Sequence, residues 1–159
     1  MNKAEISPPP TPPRSQAHGG GRTSPPQKKK LHILITDDEE EIREILLNGL
    51  KIYDDKFILS SATTGCEALH FIENNPVDIL VTDVAMPDMD GFELFTKVKE
   101  IRPDLPIIMM TGFGYDPSHT LVKAKKSGMI DILYKPFNVE NLYIKIKHYE
   151  LGIRNSELG

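Results

Sequence analysis

The sequence predicts an α/β fold in which five short strands and five helices alternate around a parallel sheet wound on both faces. Three observations carry that expectation. Five runs, Leu31–Ile35, Phe57–Leu59, Val77–Val81, Ile107–Met110 and Ile130–Leu133, are short and apolar or β-rich, as strands covered on both faces require. Stripes of helical period lie between them. Polar residues collect just beyond the ends of four runs: Asp37 and Asp38, Asp83, Thr111 and Lys135. The order is (βα)5, so crossover helices and a parallel sheet follow.

Taken in chain order, the first run feeds a helix whose stripe is Ile42, Ile45, Leu46 and Leu50. After the second run, Thr64 and Glu67 have capping-box spacing, and after the third Asp90 and Glu93 repeat it. The stripe Leu94, Val98 and Ile101 continues from the latter. Beyond the fourth run, Asp116 before Pro117 sets an N-cap beside a proline at the first helical position. Asn138 caps the last helix, with the stripe Val139, Leu142, Tyr143, Ile146 and Tyr149.

At 159 residues, with 39% hydrophobic and 26% charged residues, one globular domain is the expectation. No apolar run approaches the roughly 18 residues of a membrane span, and the N-terminus has no signal-type apolar stretch. Cys66 is the single cysteine. No internal disulfide can form, and a reducing cytoplasm fits. The net charge of −4 hides two regions. Residues 1–30 balance at +5 and hold seven of the 13 prolines with no aromatic, which leaves −9 for the remainder. Such a segment cannot bury enough apolar surface to offset its ordering entropy, so residues 1–30 are expected to be a disordered tail. Its PPP and TPP runs favour polyproline II and its three consecutive lysines suit an acidic partner, but an inert linker is the reading taken.

In an open parallel sheet, strand ends converge on one crevice, so residues nearly a hundred positions apart share a pocket there. Three carboxylates, a hydroxyl and an ammonium are chemistry for a divalent cation and a phosphoryl group. Taken singly, each part has a plainer reading: DDEEE as a solvated helix start suited to the macrodipole, Lys135 before Pro136 as a turn lysine. The five histidines, His18, His32, His70, His119 and His148, share no metal-ligand spacing and are read as structural or surface residues.

The runs ITDDEEEIR and VTDVAMPDMDGFEL, with MTG after the fourth strand and YKPF after the fifth, resemble the receiver domain of two-component response regulators. The resemblance covers about residues 31–150, with 151–159 left as a short C-terminal tail. It implies a flavodoxin-like sheet of strand order 2-1-3-4-5. It also implies that Asp83 is the nucleophile that takes a phosphoryl group from a histidine kinase or phosphotransfer domain. Mg²⁺ would be bound by Asp38, Asp83 and the backbone carbonyl of Ala85, with Asp37 acting through water. Lys135 would pair with the phosphoryl oxygens and Thr111 would donate its hydroxyl. Gly112 would leave room for the phosphate, and the family commonly makes the peptide before Pro136 cis.

Two departures from the family pattern stand out. Ile132 occupies the position, three before the lysine, where an aromatic is usual, which puts the aromatic switch in doubt. Tyr134, adjacent to the lysine, is expected to face the other side of the sheet. The stretch Gly112–His119 also lengthens the loop beside the site.

Two rival classes are set aside on single features. An aspartyl-phosphate phosphohydrolase would show an acid two residues after the nucleophile, where Ala85 stands. A flavin carrier of this topology would need a Thr/Ser/Gly-rich loop after the first strand, where TDDEEE is electrostatically wrong. The protein is therefore expected to be a phosphoacceptor rather than an enzyme. Only ten residues follow Tyr149. That leads to the expectation of a single-domain regulator or phosphorelay shuttle, with an unknown downstream protein, no membrane and no direct nucleic-acid binding. A receiver cut from a hybrid kinase is the alternative, against which Met1 weighs mildly.

Overall fold

The computed structural model describes residues 29–112 and 130–152. The expected helix capped by Asp116, the loop Gly112–His119 beyond Gly112, and His18 and His119 lie outside them. So do the expected tails, save Lys29, Lys30, Leu151 and Gly152.

The described elements are β1 (His32–Thr36), α1 (Glu40–Tyr53), β2 (Ile58–Ala62), α2 (Gly65–Asn74), β3 (Ile79–Asp83), α3 (Gly91–Ile101), β4 (Ile107–Thr111), β5 (Ile130–Tyr134) and α4 (Val139–Glu150). All four strand pairings are parallel, in the order β2-β1-β3-β4-β5. This is the flavodoxin-like order expected.

Side chains alternate across the sheet and build two cores. Leu34, Leu80, Met109 and Ile132 pack with Ala68 and Ile72 of α2 and with Leu94 and Val98 of α3. Ile33, Ile35, Val81, Met110 and Leu133 pack with Leu46 and Leu50 of α1 and with Leu142 and Ile146 of α4. Every residue of β3 and β4 is buried. Interior strands covered on both faces have no solvent side, hence the unbroken apolar runs.

The expected caps are present in part. Thr64 accepts the Glu67 N–H at 3.1 Å, but the Glu67 carboxylate turns to the N–H and hydroxyl of Thr63, so the box does not close. Asp90 accepts the Glu93 N–H at 2.9 Å. Asn138 and Asn141 form a complete reciprocal box. Two stripe positions differ from expectation. Ile45 is 52% exposed and Ile101 45%. Leu46 and Leu50 stand four apart in one row, and Ile45 lies about 100° around the helix from Leu46, while Ile101 is the terminal residue of α3.

The register sets the site. Thr36 is level with Ala62 and Thr82, Asp83 with Met110, and Thr111 with Tyr134. Main-chain hydrogen bonds continue past the ladder from Asp37 N–H to Ala62, from Val84 N–H to Met110 and from Lys135 N–H to Thr111. The residues that carry chemistry thus stand on backbone that is already paired.

Candidate functional site

Asp37, Asp38 and Asp83 each offer a carboxylate oxygen within 4.8 Å of the others. Asp37 and Asp83 are buried and Asp38 is exposed, so the cluster has two walls and a mouth. Lys135, at the end of β5, places Nζ 3.5 Å from Asp37 Oδ2 and 3.5 Å from Asp83 Oδ1. Burial pushes the Asp83 carboxyl above its ordinary value. The Lys135 ammonium and the Ala85 N–H oppose that rise, while the Asp37 charge adds to it.

Thr111 ends β4 with its hydroxyl buried, and among the described residues Oγ1 has no hydrogen-bond partner. Buried hydroxyls are ordinarily satisfied, so this orphan is a vacant donor at the strand ends. Together with three converging carboxylates, it fits an oxygen-ligated divalent cation and an oxyanion held side by side. The carboxylates of Asp37, Asp38 and Asp83 are the groups suited to the cation. Sodium-like monovalent ions would gain less from three negative charges so crowded.

The loop after β3 is held closely. Asp88 adopts φ 67°, a left-handed conformation that Asp tolerates better than most residues, and the Met89 N–H bonds the Pro87 carbonyl across it at 2.8 Å. Gly91 opens α3 hard against the strand end: a Cβ there would stand 2.7 Å from the Asp83 carbonyl oxygen. The Lys135–Pro136 peptide is cis. β5 is itself tied to α4, because both carboxylate oxygens of buried Asp131 accept from Lys145 Nζ, at 3.0 and 3.1 Å.

The structure brings together Asp37, Asp38, Asp83 and Lys135, and ends β4 with Thr111 on the same edge. It corrects the placement of Tyr134. That residue is two positions past Ile132, so strand alternation puts both on one face, Ile132 buried in the core and Tyr134 56% exposed at the end of the outer strand. Sequence reasoning missed Arg43, whose guanidinium bonds the Asp37 carbonyl at 2.7 Å. His32 bonds Ser60 and sets its ring edge-on to Phe71, and His70 contacts Asn74.

A family model described as the response regulator receiver domain matches residues 33–147, and the chain belongs to that family. The transcriptional regulatory protein GlrR of Escherichia coli is 31% identical over 97 residues, 61% of this chain and 21% of GlrR. The C4-dicarboxylate transport transcriptional regulatory protein DctD of Rhizobium meliloti is 38% identical over 86 residues, 54% of this chain and 18% of DctD. The chain thus spans about a fifth of the length of these curated relatives. Among solved structures, FixJ-N superposes with a TM-score of 0.66 at 30% identity, covering 77% of this chain and 94% of that one. The receiver domain protein (CheY-like) of Methanospirillum hungatei JF-1 gives 0.69 at 30% identity, covering 82% and 100%.

Proposed function

We propose that Asp83 accepts a phosphoryl group from a phosphohistidine on a histidine kinase or phosphotransfer domain, and that the chain works as the phosphoacceptor receiver of a response regulator or phosphorelay. The observation that carries this is a buried carboxylate facing an ammonium at 3.5 Å, with the Thr111 hydroxyl, unpartnered among the described residues, on the same edge of the sheet. The donor N–P bond breaks as an O–P bond to Asp83 forms, and the imidazole nitrogen leaves with the electron pair. Mg²⁺, held by Asp38, Asp83 and the Ala85 carbonyl with Asp37 acting through water, would supply neutralisation of the phosphoryl charge. Lys135 pairs with a phosphoryl oxygen in a charge-assisted bond worth about 1.5–3 kcal/mol. Thr111 donates its hydroxyl to another.

The protein promotes only its own phosphorylation and dephosphorylation, so it is a signalling domain and not a turnover enzyme. GlrR and DctD are named as transcriptional regulators, but direct nucleic-acid binding is not part of the proposal, since residues 31–159 carry −9. A cytoplasmic setting is proposed on the lone Cys66. Among the described residues no helix is long and apolar enough to cross a membrane.

The test is incubation with a labelled phosphohistidine donor and Mg²⁺. Wild type should take up one hydroxylamine-sensitive label per chain on Asp83, and Asp83→Asn none. Label persisting on Asp88 or Asp90 would overturn the assignment, and multiple turnover would point to a hydrolase.

A further inference from the structure

Three residues, Asp37, Asp38 and Glu39, join β1 to α1, and two of them are carboxylates of the metal cluster. The usual fastening of such a turn is missing. Glu39 stands at the N-cap of α1 and makes no side-chain cap hydrogen bond, the contact that Ser, Thr, Asp or Asn provides there. The Arg43 guanidinium reaches back instead, and Nη1 donates to the Asp37 carbonyl at 2.7 Å. That carbonyl belongs to the peptide linking Asp37 to Asp38. On its other side, the Asp37 N–H is fixed to Ala62 of β2 at 3.3 Å, and its Oδ1 accepts the Glu39 N–H at 2.9 Å. The Arg43 charge also helps hold the Glu67 carboxyl below its ordinary range, after the larger effect of the Thr63 hydroxyl and N–H.

We infer that Arg43 is a positioning residue of the metal site. It fixes the Asp37–Asp38 peptide so that the exposed Asp38 carboxylate stands where it and Asp83 take a divalent cation. The inference rests on the metal-site reading above and names the residue that pre-organises it.

Two effects of removing Arg43 have opposite signs, which makes the inference decidable. As a bare positive charge near three carboxylates, the guanidinium repels an incoming cation, and its loss would tighten binding. As a fastening, its loss frees the peptide and weakens binding. Groups that orient metal ligands from behind typically change affinity by about 10–100-fold when removed. The short, charge-assisted bond to the peptide between two ligand residues makes the second effect the larger.

The experiment measures Mn²⁺ binding to the full chain from the electron paramagnetic resonance signal of the free ion, in wild type, Arg43→Met and Arg43→Gln. Thermal unfolding without metal shows whether each variant is folded. Methionine keeps length and loses both charge and donor, so affinity should fall about tenfold. Glutamine loses the charge but keeps an amide donor, so it should recover most of that loss. Affinity in Arg43→Met equal to or above wild type overturns the inference, as does an equal loss in both variants. If the methionine variant does not fold, glutamine decides: affinity modestly below wild type supports, and affinity equal to or above wild type overturns. A wild type that takes up no Mn²⁺ removes the metal-site reading and this inference together. A wild type that binds, with Arg43→Met binding as tightly or more tightly, removes this inference alone.

Discussion

Thr111 is the residue whose chemistry is most exposed to test. A buried hydroxyl without a partner costs about 1–3 kcal/mol. Thr111→Val keeps the shape and deletes the hydroxyl, so urea denaturation should show a gain of about 1 kcal/mol. The variant should still accept phosphate, because Asp83 and Lys135 remain. Chemical-shift changes along β4 on adding beryllofluoride, a phosphoryl mimic, should be lost; equal changes in both proteins would remove Thr111 from any switching role. Asp83 gives a pH prediction. Burial, its largest influence, lifts the carboxyl above the ordinary 3.8. The folded chain therefore holds that proton longer than the unfolded chain, and the stability this confers is lost as pH rises through the window above 3.8. Without divalent cations, Asp83→Asn should be more stable than wild type at pH 7, with the gap narrowing on acidification. A gap that widens would mean attraction to Lys135, not burial, dominates. The acids, Thr111 and Lys135 were readable in the sequence because each follows an apolar run. Arg43 was not, because it acts on a main-chain carbonyl, a group every residue type presents alike.

Elements were readable in proportion to their burial. β4 lies inside the sheet with every residue buried, and its run in the sequence differs from its bounds by one residue. β2 is an outer strand, and it extends through Ser60 and Ser61 to Ala62, polar residues that no apolar pattern marks. Its length is fixed by pairing with β1, where Ile35 is level with Ser61. Ile45 was misplaced because a four-residue apolar patch does not say which of its rows faces inward. The packing of α3 on β3 can be tested at Gly91. An added Cβ would meet the Asp83 oxygen at 2.7 Å and Val84 Cα at 2.9 Å, both backbone atoms with no rotamer to yield. Alanine gains about 1 kcal/mol of helix propensity over glycine, whereas overpacking costs about 1–3. Gly91→Ala should therefore be destabilised in urea and should shift the Asp83 amide resonance. Gly112→Ala, with nothing among the described residues within 4 Å of its Cβ, is the control. Unchanged stability in Gly91→Ala would show that α3 can move off the strand end.

At the scale of the molecule, the fold gathers three carboxylates at the edge where its strands end. The convergence itself was readable, since parallel strands of order 2-1-3-4-5 must bring their ends to one crevice; which side chains lie buried there was not, because two adjacent aspartates read alike although Asp37 is buried and Asp38 exposed. Asp37, Asp38 and Asp83, within 4.8 Å of one another, repel, and like charges so placed destabilise the fold that gathers them. Lys135 offsets part of this from 3.5 Å. A divalent cation that binds the gathered cluster and not the unfolded chain should stabilise by mass action, about 2.7 kcal/mol at a hundredfold excess over its dissociation constant. Asp38→Ala should relieve repulsion and remove a ligand at once. The variant should be more stable than wild type without Mg²⁺, yet gain little when Mg²⁺ is added. Four denaturation curves, each protein with and without millimolar Mg²⁺, separate these effects. A wild type indifferent to Mg²⁺ would sink the metal site. An Asp38→Ala variant that keeps the full increment would move the cation off Asp38, leaving Asp37 and Asp83 as its carboxylates.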